Sequence, residues 1–242
     1  MGVGPECLPQ ALEGSWRRAL RDRVTAMYRG IDSGRLSPAD LGFVPSSSSF
    51  PLQRLLPVEA LLRALHPSVI ARLQALLGPG VSVDVDIAWV RRQFAPAGRP
   101  AGAHPHSWHQ DGAWGCDFLR APQGEALLPM QTLWIAPDDC GVDAPGLEFV
   151  DAVPARMLTL EELQPARVEA RYGASRRRRP RLRAGDALLF GGSLLHRTHV
   201  DDGMTRTRHS IELRFVDGAR IPARLAAHRF LPVRDSGVRL GI

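Results

Sequence analysis

Two short stretches of this 242-residue chain hold the residue types that bind a redox metal. The first is Trp108-His109-Gln110-Asp111-Gly112. On extended backbone, residues i and i+2 project to one side, so the His109 imidazole and the Asp111 carboxylate can converge on one ion. The second stretch, Gly185 to His199, passes from a Gly-Asp turn through Ala187-Leu188-Leu189-Phe190 to two histidines, His196 and His199. Two imidazoles and one carboxylate on one face of an octahedral iron leave three positions for a bidentate co-substrate and dioxygen. A lone His-x-Asp is common; a histidine at the far end of an apolar strand is what makes this pair informative. Beyond it lie Arg206, Arg208 and Arg214. An arginine there can take the distal carboxylate of a dicarboxylate co-substrate in a two-pronged fork, a geometry that lysine matches poorly.

These groups need rigid elements to bring them together. Leu8, Leu12, Trp16, Leu20, Val24 and Met27 recur at helical spacing, and Asp32-Ser33-Gly34 ends that element. A Ser-rich loop (Ser46 to Ser49) follows, then a helix opened by Pro57 and another capped by Ser68 and closed by Gly78-Pro79-Gly80. From residue 81 the period changes. Val81, Val83, Val85, Ile87 and Trp89 alternate with Ser82, Asp84, Asp86 and Ala88, the pattern of a strand with one buried face. Further strands are expected at Met130–Ile135, Leu147–Val150, Ala187–Phe190 and Ser210–Val216, and a short helix at Thr159–Leu163 with a capping box between Thr159 and Glu162. Helices first and many short strands afterwards predict a mainly β fold, a jelly roll with flanking helices. The reading is one domain over 1–242: a helical N-terminal region (1–80) packed on a β core (81–216), with a C-terminal extension (217–242).

Composition narrows the class further. The net charge of +6 and pI near 10.4 invite a nucleic-acid reading, but every one of the 31 basic residues is arginine, and Ala, Gly and Pro are abundant. That is the mark of codon bias, and no nucleic-acid partner is expected. The Arg176–Arg179 run reads as a solvated loop. Cys7, Cys116 and Cys140 form no CxxC pair and are expected to be reduced thiols. No apolar run is long enough to span a membrane, and no signal peptide is evident, which points to the cytoplasm.

Taken in order, the motifs resemble the phytanoyl-CoA dioxygenase (PhyH-like) family of iron(II)/2-oxoglutarate oxygenases, whose core is a double-stranded β-helix. Trp108-His109-Gln110-Asp111 is similar to that family's first ligand pair, Leu133 to Asp139 to its central strand and acidic turn, and Gly146 to Val150 to the next strand. Gly185 to His196 matches the strand that carries the second histidine, and Arg208-His209-Ser210-Ile211 the arginine strand. Two loops depart from the pattern: Ala144-Pro145-Gly146 stands where an Asn-Gly turn is usual, and Asp151-Ala152-Val153-Pro154 replaces a Pro-Gly-Ser-His motif.

The resemblance implies iron(II) on His109, Asp111 and His196, with His199 as the rival third ligand. It implies 2-oxoglutarate held by Arg208 and Thr198, with Gln93 and Gln131 as further hydrogen-bonding candidates, and O2 as the oxidant. Trp108, Trp114, His106 and Arg214 are candidates for the substrate pocket; Trp134 is expected in the core. The reaction implied is hydroxylation, desaturation or rearrangement of a small molecule, with release of succinate and CO2. A carboxylate at position 111 excludes the halogenase variant. Other classes remain: a nucleic-acid demethylase of the AlkB type, a peptidyl hydroxylase, or a non-catalytic cupin-like binding protein.

Overall fold

The computed structural model describes residues 4–44, 52–114 and 127–233; the Ser46 to Ser49 loop and Cys116 lie outside them. β1 (Glu6–Leu8) leads into α1 (Gly14–Asp32), the helix expected from the apolar spacing, which buries Val24 and Tyr28. It stops at Gly34, whose φ of 69° needs a glycine. β2 (Phe43–Val44) and β3 (Gln53–Leu55) follow, then α2 (Val58–Ala64) and α3 (Pro67–Leu77). The cap of α3 is His66 rather than Ser68: the His66 ring accepts from Ser68 N at 3.3 Å, while Pro67 opens the first turn.

The period-two run from Val81 to Trp89 is two strands. β4 (Val81–Asp84) ends in a single 3-10 turn, Val85–Ile87, and β5 (Trp89–Gln93) begins beyond it. Asp84 causes the break. Its carboxylate accepts from Asp86 N at 3.0 Å and lies 2.6 Å from His228 Nδ1, so the expected polar face of β4 is buried as well. β6 (Met130–Ile135) and β7 (Gly146–Val150) lie where expected. The Thr159–Glu162 capping box forms, with reciprocal bonds of 3.0 and 3.2 Å, but it starts only a turn; the helix proper is α4 (Pro165–Tyr172). β8 (Arg177–Arg178), β9 (Ala187–Gly191), β10 (His196–His199), β11 (Arg208–Asp217) and β12 (Phe230–Pro232) complete the set.

All the ladders are antiparallel. The larger sheet runs β1-β9-β6-β11-β5-β3-β2, with β4 joined to β11 and β12 to β4; the smaller is β10-β7-β8. This is the jelly-roll architecture. The N-terminal region therefore does more than pack helices on the core, because it lends three strands to the main sheet.

Strand parity sorts the side chains. On β6 and β11 the odd positions Leu133, Ile135, Ile211, Leu213 and Phe215 meet the helices, among Val24, Tyr28, Leu61, Val69, Ile70 and Leu73. Each such residue contributes roughly 1.5–3 kcal/mol by leaving water. The even positions Thr132, Trp134, Arg208, Ser210, Glu212 and Arg214 fall on the other face, toward the second sheet. There Trp134, Leu188 and Phe190 pack with Leu147 and Leu194.

The arginine run is solvent-exposed at Arg176, Arg178 and Arg179, as composition suggested, but it is not a loop throughout. Arg177 and Arg178 pair with β7. Arg177 and Arg179 close on the fully buried Glu148 at 3.7 and 3.0 Å, joined by Arg197 at 2.5 Å.

Candidate active site

Backbone pairing brings the two sequence-distant histidines together. The segment carrying His109 docks on the start of β10, with His109 N donating to His196 O at 2.9 Å and His196 N to His109 O at 3.1 Å. The ring centroids are 4.1 Å apart. In each histidine Nδ1 sits on a backbone carbonyl two residues earlier, Ser107 O at 2.8 Å and Leu194 O at 3.0 Å. With Nδ1–H donating there, Nε2 keeps its lone pair for a metal.

Asp111 completes the set. Gly112 N donates to Gly192 O at 2.8 Å, and a Cβ at Gly112 would lie 2.9 Å from that same oxygen, so only glycine lets this turn approach so closely. Both carboxylate oxygens are held: Thr132 Oγ1 donates to Oδ2 at 2.6 Å and Arg214 Nη2 to Oδ1 at 3.0 Å. His109, Asp111 and His196 each offer a donor atom, and these atoms all lie within 4.8 Å of one another. Burial alone would raise the Asp111 pKa, but the Arg214 guanidinium and the Thr132 hydroxyl hold it well below the usual carboxylate range. Burial, together with the neighbouring His196 and His106, pushes His109 well down. His109 is thus neutral and Asp111 ionised, the states that bind a divalent cation.

Arg208 and Thr198 line the same pocket as this triad. The Arg208 guanidinium is 1% exposed and lies 4.8 Å over the Trp134 ring. Its Nε and Nη1 have no hydrogen-bond partner among the described residues. A buried, orphaned guanidinium is costly unless an anion completes it, so this residue fits the distal carboxylate of a co-substrate. The neighbouring candidates are placed elsewhere. Arg206 precedes β11 and forks onto Asp143 at 2.7 and 2.8 Å. His199 lies 3.4 Å from Asp201 and is outside the triad.

The remaining sequence candidates divide. His106 lines the pocket, its ring 4.1 Å from His109, and burial pushes its pKa down to about 4. Gln93 stands across the ladder from Arg208, buried, with Oε1 unpartnered. Gln131 is not at the pocket and lines a separate cleft with Met130 and Gly191. Trp108 packs with Val150, Leu158 and Leu195, and Trp114 is a half-exposed ring 5.8 Å from the Arg214 guanidinium. Arg214 is tied to Asp111 and to Glu212, at 3.0 and 3.5 Å, instead of facing a substrate space.

Sequence reasoning passed over Thr132, Arg91 and Glu212, all in the pocket wall, and Gln110, which fastens the metal segment to Leu158 N at 2.7 Å and Ser193 O at 3.1 Å. A signal existed for Glu212: it shares the parity of Arg208 on a strand buried throughout. A charge on the inward face of such a strand has a job to do.

Fold and donor set together define a non-haem iron, 2-oxoglutarate-dependent enzyme. The phytanoyl-CoA dioxygenase (PhyH) family profile matches residues 19–203, and the chain belongs to that family. Its cofactors are iron(II) and 2-oxoglutarate, with O2. Among solved structures, the non-heme alpha ketoglutarate dependent epimerase SnoN from nogalamycin biosynthesis is 17% identical with a TM-score of 0.60, over 88% of this chain and 78% of that one. EctD from S. alaskensis, with 2-oxoglutarate and 5-hydroxyectoine, is 18% identical with a TM-score of 0.61, over 88% and 72%. HygX from Streptomyces hygroscopicus, with nickel, 2-oxoglutarate and hygromycin B bound, is 14% identical with a TM-score of 0.58, over 89% and 83%. No curated protein matches the sequence.

Proposed function

We propose that this chain is a small-molecule hydroxylase in which His109, Asp111 and His196 hold iron(II) and Arg208, with Thr198, holds the far carboxylate of 2-oxoglutarate. The observation that carries this reading is the buried Arg208 guanidinium, whose Nε and Nη1 have no hydrogen-bond partner among the described residues, in the same pocket as the triad. With iron(II), 2-oxoglutarate and O2 bound, the site gains an oxidant able to take a hydrogen from an unactivated carbon, with release of succinate and CO2.

The chain's own residues set the frame for that chemistry. Thr132 and Arg214 each occupy one Asp111 oxygen, so the carboxylate is fixed in orientation while each oxygen keeps a lone pair available to a metal. Arg208 orients the co-substrate, and the apolar Trp134, Leu147 and Phe190 around it keep water from that end. A carboxylate ligand at position 111 argues against halogenation, since no coordination position is vacated for a halide, and leaves desaturation and rearrangement as alternatives to hydroxylation. Arg214 is already engaged by Asp111 and Glu212, so the six-residue spacing of two arginines does not supply a second free clamp of the nucleic-acid demethylase kind. The small molecules named with EctD and HygX support a small-molecule substrate here, and the nogalamycin biosynthesis named with SnoN supports a place in secondary metabolism. No helix among the described residues is long and apolar enough to cross a membrane.

The test is spectroscopic. Anaerobic protein given iron(II) and 2-oxoglutarate is expected to develop a weak visible charge-transfer band and to bind 2-oxoglutarate only with metal present. Metal-independent binding, or no band at saturating co-substrate, contradicts the assignment.

A further inference from the structure

Outside the triad and Arg208, five polar side chains (Arg91, His106, Thr132, Thr198 and Glu212) and three apolar ones (Trp134, Leu147 and Phe190) line the pocket on the described residues. Charged and hydroxyl groups therefore dominate the wall. An acyl chain entering here would strip water from those charged groups without giving them a new partner. The wall suits a polar guest.

Its chemistry can be read more closely. Glu212 Oε2 takes both Arg91 Nη1 and Arg214 Nη2, and Arg91 Nε donates to Gln53 Oε1 at 2.9 Å. Arg214 in turn holds Asp111, so a chain of alternating charge runs from the metal carboxylate to the pocket wall: Asp111, Arg214, Glu212, Arg91. With iron(II), 2-oxoglutarate and Arg208 counted beside these two carboxylates and two guanidiniums, the named groups leave the site positive, so an ammonium guest is disfavoured and a neutral donor is not. Glu212 Oε1 is the group left to receive such a donor, since among the described residues its hydrogen-bond partner is Ser210 Oγ at the long distance of 3.5 Å. Glu212 also lies four residues along β11 from Arg208, about 13 Å at strand rise, which separates this wall from the co-substrate clamp.

We infer that Glu212, braced by Arg91 and Arg214, is the specificity-determining residue of the site, and that through Oε1 it accepts a hydroxyl of a neutral, polyhydroxylated substrate of the sugar or cyclitol class. The inference rests on the iron/2-oxoglutarate reading above and sets the substrate apart from the acyl thioester in the family's name.

The experiment measures succinate release by the iron- and 2-oxoglutarate-loaded enzyme in air, with methyl glycosides and inositols as one set of probes and medium-chain acyl-CoA thioesters as the other. Stimulation is expected from polyols and not from acyl thioesters. In Glu212→Gln the amide oxygen turns to the two guanidiniums, so its NH2 takes the Oε1 place and the wall presents a donor where it presented an acceptor. Loss of that charge-assisted bond is expected to raise the polyol KM about 10- to 100-fold with kcat changed less than about threefold. Glu212→Asp, which keeps the acceptor on a shorter arm, is expected to restore part of the affinity. Stimulation by acyl thioesters, stimulation by no polyol, or an unchanged KM in Glu212→Gln overturns the inference. So does an altered charge-transfer band in Glu212→Gln, because Glu212 would then act through Arg214 on the metal. Absence of the band in the unsubstituted protein sinks the iron/2-oxoglutarate reading and this inference together, whereas a normal band without polyol stimulation sinks this inference alone.

Discussion

Arg208 is the residue where stability and function pull in opposite directions. Its guanidinium is desolvated, which lowers its pKa, and neither Nε nor Nη1 is hydrogen-bonded. In the absence of a co-substrate that arrangement is a net cost, offset in part by the Trp134 ring beneath it and by the charges of Glu212 and Asp138. Arg208→Met fills similar volume without the charge. The variant is expected to gain about 1–3 kcal/mol of stability in the metal-free protein, as replacement of buried charge by a hydrophobe often does. It is expected to weaken 2-oxoglutarate binding at least about 100-fold, with the loss of a bidentate charge-assisted pair. Thermal unfolding beside a 2-oxoglutarate titration reads both. A destabilised variant that still binds would show that Arg208 is structural. The sequence marked this residue because Arg at the start of a strand a dozen positions past a histidine is a co-substrate geometry. It did not mark Glu212 or Thr132, since a carboxylate or hydroxyl on a strand has many uses, and only the cross-strand register with β5 and β6 shows which groups face inward together.

At the scale of elements, what was legible depended on length and periodicity. β6, β7 and β9 announce themselves as largely apolar runs bounded by turn residues, and β11 by the alternation of Ile211, Leu213 and Phe215 with polar residues. β1, β2, β3, β8, β10 and β12 are two to four residues long and carry no period; they are strands because a neighbour offers an edge. The break between β4 and β5 was hidden because alternation continues through it while Asp84 turns the backbone. β8 was hidden by its charge, since a run of arginines reads as solvent-exposed until Glu148 is found beneath it. That carboxylate is fully buried between β7, β8 and β10. Burial acts to raise its pKa, but hydrogen bonds and charge from Arg197 and Arg179 leave it lowered overall. A carboxyl whose folded pKa lies below its unfolded value, about 4.3, stabilises the fold above that value and ceases to do so as pH falls through the depressed one. Glu148→Gln, which leaves three arginines facing one another, is therefore expected to lose about 3–5 kcal/mol at neutral pH. The deficit should shrink steadily below about pH 4, as the native side chain becomes protonated too. Unfolding midpoints of both proteins between neutral and acid pH measure it, and a deficit independent of pH would mean that packing, not charge, is what the variant lost.

Across the whole molecule, both ends of the described chain are zipped into one sheet: β1 pairs with β9, and β12 with β4. His228 and Arg229 add side-chain ties to Asp84 and Asp86, at 2.6 and 3.0 Å, and Arg224 reaches Gly112 O at 3.1 Å beside the metal carboxylate. β9 and β11, which receive those outer strands directly or through β4, also lead to His196 and carry Arg208. The site and the outer segments are thus coupled through shared ladders, and a ligand that binds the site should stabilise all of them at once. Iron(II) and 2-oxoglutarate, each at about 100 times its dissociation constant, should add about 2.7 kcal/mol apiece, about 5.4 kcal/mol together. For a chain of this size that is a rise of roughly 11–22 °C in Tm, in a single transition. 2-Oxoglutarate alone should give little of this if, as proposed, Arg208 and Thr198 hold only its far end, and a chelator added to the loaded protein should reverse the rise. Two separate transitions, with only the later one moved by the ligands, would show that the N-terminal segments unfold independently of the site, and would replace the single unit over 1–242 with a core and a separable outer layer.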